Sequence, residues 1–138
     1  MRAVLLILPI LLLAWSPLAH AHSDKHFDGI ETPHDGQIRM AGPYHLELVV
    51  GSGEVSIYVT DHGDQPIETS GGSAKVIITS GKKRYVVVLA PAGDNRLEGS
   101  GEFKLGRSNA VSVMVVLPGQ EPQRATFSIK RASGKKTK

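Results

Sequence analysis

The stretch that most restricts the fold is residues 42–67, GPYHLELVVGSGEVSIYVTDHGDQPI. From Tyr44 to Val50 the residues alternate, with Leu46, Leu48 and Val50 on one side and His45 and Glu47 on the other. After Gly51-Ser52-Gly53-Glu54 the alternation resumes, with Val55, Ile57 and Val59 against Ser56, Tyr58 and Thr60. Successive side chains of a strand point to opposite faces, so this period predicts two half-buried strands joined by a tight turn.

The core pattern also predicts their register. In an antiparallel hairpin, directly opposed residues share a face. With Ser52-Gly53 as the turn, Leu46 opposes Val59, Leu48 opposes Ile57 and Val50 opposes Val55. The outer row then pairs Glu47 with Tyr58, His45 with Thr60 and Pro43 with His62. His62 becomes the diagonal neighbour of His45, at roughly 7–8 Å on the exposed face.

The rest of the chain reads the same way. Short strands are expected over 37–41, 74–79, 84–89, 96–103, 110–117 and 123–130, separated by Gly-, Pro- and Asp-rich turns. Val86-Val87-Val88-Leu89 is apolar on both faces, which predicts a central strand. Gly99 and Gly101 predict a bulge or a close backbone approach. Ile38 and Met40 are expected to face inward, opposite Leu48 and Leu46, across a three-residue turn. On that register Met40 is core packing, not a ligand. The expected fold is all-β: an antiparallel β-sandwich (immunoglobulin-like) or a small barrel of about seven or eight strands.

Residues 1–21 carry Arg2, an apolar run broken at Pro9, and Ala19-His20-Ala21, the layout of a cleaved signal peptide. Residues 22–36 read as a His-rich flexible arm, 37–130 as the β-domain and 131–138 as a basic disordered tail. No second long apolar run follows the signal, so no membrane span is expected after cleavage and the location is periplasmic. With no cysteine in an exported chain, disulfides and thiolate metal sites are excluded. The net charge of +3 is too small to suggest nucleic acid as a partner.

The histidines hold the candidate chemistry. His45 and His62 are the leading metal ligands, with Asp61 or Asp64 as nearby oxygen donors and His34 or His22 as supplements. Cleavage after Ala21 would give His22 a free α-amine. Amine and imidazole together can chelate Cu(II), completed by His26, His34 or His62. Plainer readings stand beside these. A surface histidine pair can be a solvated loop, Glu47 and Tyr58 a cross-strand pair, and Asp61, Asp64 and Asp94 turn formers. No nucleophile elbow, P-loop, dinucleotide fingerprint, HExxH or EF-hand loop occurs, so no enzymatic activity is expected.

Four runs together carry a resemblance: TPHDGQIRMAGPYHLELVV (32–50), YVTDH (58–62), APAGDN (90–95) and VLPGQ (116–120). They resemble small periplasmic proteins associated with heavy-metal efflux and resistance systems of Gram-negative bacteria, and modules of heavy-metal efflux adaptor proteins. The resemblance covers about residues 34–127, and His34, His45 and His62 match the histidines of those motifs. Where such sequences often read HGG, this chain has His34-Asp35-Gly36. A looser similarity is to immunoglobulin-like periplasmic copper carriers with an N-terminal histidine ligand. The resemblance implies a metal-resistance context and a β-sandwich-like domain; together with the histidines it leads to the expectation of an accessory protein that binds Cu(II) or Zn(II) and passes it to an efflux adaptor. The alternative expectation is a metal-free β-module that docks on an envelope or efflux protein.

Overall fold

The computed structural model describes residues 27–131. They form eight strands and no α-helix: β1 (Gln37–Ala41), β2 (Tyr44–Val50), β3 (Glu54–Asp61), β4 (Ser73–Ser80), β5 (Lys83–Pro91), β6 (Arg96–Ser100), β7 (Ser108–Val116) and β8 (Gln123–Lys130). The expected all-β fold is what the chain adopts. The expected signal peptide, His22, His26 and residues 132–138 of the basic tail lie outside the described residues. No described helix is long and apolar enough to cross a membrane.

The strands run antiparallel in one sheet ordered β1-β2-β3-β6-β5-β4-β7-β8. The hairpin-linked strands β4, β5 and β6 have β3 beside β6 and β7 beside β4, two overlapping Greek keys. The end strands β1 and β8 lie side by side, and Gln37 Nε2–H donates to the Ser128 carbonyl at 3.4 Å. The sheet therefore nearly closes into a barrel. Its inner face is mostly aliphatic, including Leu46, Ile57, Ile78, Leu89, Leu97 and Val113, with Phe127 as the bulkiest fully buried side chain. Each such side chain contributes roughly 1.5–3 kcal/mol of burial.

The β2–β3 register follows the core pattern, with Leu46 opposite Val59, Leu48 opposite Ile57 and His45 opposite Thr60. The β1–β2 register does not. Met40 pairs with His45 and Ile38 with Glu47, so Arg39 and Ala41 share the face of Leu46 and Tyr44. The cause is the turn. Pro43 cannot take a positive φ, whereas Gly42 sits at φ 57, which suits Gly at the first position of a two-residue type II′ turn. Arg39 ends up buried, its guanidinium paired with Asp28 at 2.8 Å and donating to the Ile38 carbonyl. Met40 is thus on the outer row, not in the core.

Two further expectations changed in detail. β6 ends at Ser100, short of Phe103, and Gly99 brings its backbone against Val88 of β5. β5 is central in the strand order, but Val86 and Val88 are 58% and 67% exposed on its outer face.

Candidate functional site

The outer faces of β2 and β3 end in a small loop that aims two side chains back at His45. Asp61 Oδ1 accepts the N–H groups of Gly63 and Gln65, and Asp64 N–H donates to the Asp61 carbonyl. Asp64 adopts a left-handed φ of 60, which aspartate tolerates better than most residues. The chain then returns along β3, with Pro66 bridged to Thr60 and Ile67 N–H donating to Val59.

This turn places His62 and Asp64 over His45. The His45 and His62 rings stack with centroids 4.9 Å apart and planes 22° apart. His45 Nδ1 lies 3.2 Å from Asp64 Oδ1, and His62 Nε2 lies 3.0 Å from the Gly42 carbonyl. A carbonyl can only accept, so His62 Nε2 carries a proton there. A carboxylate oxygen accepts as well, so the contact with Asp64 selects the Nδ1–H form of His45 in the same way. In the neutral imidazoles this leaves His45 Nε2 and His62 Nδ1 as lone-pair donors. Phe27 stands edge-on to His45 at 5.1 Å, and the His45 side chain is only 13% exposed.

His34 is held elsewhere, by Glu47. Glu47 Oε1 accepts the backbone N–H groups of His34 and Gly36, and Oε2 accepts His34 Nδ1–H at 2.8 Å. The His34 ring lies flat on Tyr58, centroids 3.5 Å apart. The Glu47–Tyr58 cross-strand pair expected from the sequence is present, but Glu47 is buried beneath the arm. That burial pushes the Glu47 carboxyl up. The hydrogen bonds from the His34 ring, Thr32, and the Gly36 and His34 backbones outweigh it and hold the group below its ordinary 4.5. Asp35, next to His34, sits at φ 56.

The structure therefore brings His45, His62 and Asp64 together and gives His34 a separate partner. Asp61 serves its own turn and lines a cleft of about 740 Å³ with Tyr44, Ile67 and Leu117, on the other face of β3 from His45. Among the described residues, no group of three or more His, Cys, Asp and Glu is arranged to hold a metal ion. Sequence reasoning missed Phe27 and the Gly42 carbonyl, and it removed Met40 from this face. Only the Met40 placement had a usable signal, the Gly42-Pro43 turn.

Neither a protein-family model nor a curated protein matches the chain. Among solved structures it is similar to the crystal structure of a DUF4426 family protein from Pseudomonas aeruginosa PAO1. The identity is 12%, the TM-score 0.46, and the match covers 69% of this chain and 96% of that one.

Proposed function

We propose that the protein is an exported accessory module that binds a transition-metal ion, zinc or copper, at His45 and His62, in support of a heavy-metal efflux or resistance system. The observation that carries this reading is the outer hydrogen bond on each ring. Metal-binding histidines usually give their second N–H to a carboxylate or a backbone carbonyl, which fixes the tautomer and raises basicity. His45 has the carboxylate of Asp64 and His62 has the carbonyl of Gly42. The ring planes are nearly parallel, so closing on one ion requires a tilt of His62, the exposed member of the pair. The efflux context and an efflux adaptor as partner rest on the sequence resemblance.

Calorimetric titration tests the reading. The full chain should take up about one zinc per molecule at this site, and a hundredfold excess over the dissociation constant should raise stability by about 2.7 kcal/mol. The double variant His45→Ala, His62→Ala should lose that binding, while His34→Ala keeps it. Unchanged uptake in the double variant would overturn the assignment.

A further inference from the structure

The β1–β2 register carries the site further than its imidazoles. Met40 is directly opposite His45. The hydrogen-bond phase of the sheet shows how close that pairing is. Gly51 N–H donates to Glu54 O, which makes alternate pairs along β2–β3 hydrogen-bonded and includes His45 with Thr60. The polar backbone groups of His45 thus point towards β3, and its pairing with Met40 is of the non-hydrogen-bonded kind. Side chains approach most closely in such pairs, with Cβ atoms about 4.5–5.5 Å apart. Meanwhile His62 is drawn over the same turn by the Gly42 carbonyl, two residues from Met40. One thioether and two imidazoles are therefore gathered at one end of the β1–β2–β3 sheet.

We propose that Met40 is the third ligand of the His45–His62 site and that it tunes the site towards monovalent copper. This rests on the metal-binding reading above. A thioether is a soft, neutral donor with little to offer Zn(II), whereas Cu(I) accepts thioether and imidazole together. The surroundings agree. Phe27 edge-on and the stacked His62 ring flank His45, whose side chain is 13% exposed, which limits water beside it at an ion whose monovalent state water disfavours. The set is neutral at the metal, with Asp64 at the far nitrogen of His45.

The experiment is a pair of titrations on the full chain and on Met40→Leu, a nearly volume-conserving change. One uses Cu(I) without oxygen against a coloured Cu(I) chelator. The other uses Zn(II). Met40→Leu should weaken Cu(I) by about tenfold or more, the scale of a lost supporting contact, and leave Zn(II) within about twofold. X-ray absorption of the Cu(I)-loaded full chain should show a copper–sulfur shell that Met40→Leu removes, which separates loss of the ligand from loss of the fold. An unchanged Cu(I) affinity in Met40→Leu, or a shell of nitrogen and oxygen alone in the parent, would overturn the role of Met40 and leave the histidine site standing. If the parent chain binds neither zinc nor Cu(I), the underlying metal reading fails with it.

Discussion

Gly99→Ala should destabilise the fold by about 3 kcal/mol or more, read as a lowered denaturant midpoint. A Cβ at this position would lie 2.3 Å from the Val88 carbonyl oxygen, 3.1 Å from its carbon and 3.3 Å from Leu89 Cα. All three are backbone atoms, so no side chain can swing aside. The clash falls where the sheet has least to spare. β5 and β6 pair only at Ala90–Glu98 and Pro91–Leu97, and that junction joins the β1–β2–β3–β6 half of the barrel to the β5–β4–β7–β8 half. Several kcal/mol is a large fraction of the 5–15 kcal/mol typical of a domain. Gly51→Ala is the control. Its Cβ would meet only the Glu54 carbonyl at 3.8 Å and its φ is not positive, so its cost should stay below about 1 kcal/mol.

Glu47→Gln should cost about 2 kcal/mol at neutral pH, because a neutral amide loses the charge that strengthens the bonds from two backbone N–H groups and an imidazole N–H, and forces His34 into its other tautomer. The pH dependence fixes the mechanism. The folded Glu47 pKa is depressed below its ordinary 4.5, so the carboxylate's contribution is complete above that value. It is lost as pH falls through the lower folded value. Thermal melts of parent and variant should therefore differ at neutral pH and converge as the pH drops well below 4.5. A difference that persists undiminished in acid would show that shape, not charge, holds the arm.

The sequence made one part of the site legible and hid the rest for physical reasons. Three inward pairs, Leu46–Val59, Leu48–Ile57 and Val50–Val55, leave the β2–β3 hairpin one register, and that register alone brings His45 and His62 to one end. β1 offered only Ile38 and Met40 as a pattern, too short to outweigh the turn. Counting apolar residues inward selected a three-residue turn, but Gly42-Pro43 favours a two-residue one, and Asp28 makes the burial of Arg39 tolerable. The arm has no period, so nothing local announced that His34 would bond to Glu47 and stack on Tyr58. The choice of Asp64 over Asp61 turned on a left-handed φ at Asp64, which no periodic pattern marks.

Imidazole nitrogen NMR reads directly which nitrogens meet the metal. Without metal, His45 should appear as the Nδ1–H tautomer and His62 as the Nε2–H tautomer, as their bonds to Asp64 and Gly42 require. On adding an equimolar amount of zinc, His45 Nε2 and His62 Nδ1 should shift together while the His34 ring, bonded to Glu47, keeps its resonances. If zinc leaves the His45 and His62 nitrogens where they were, or moves only His34, the histidine pair is not the metal site.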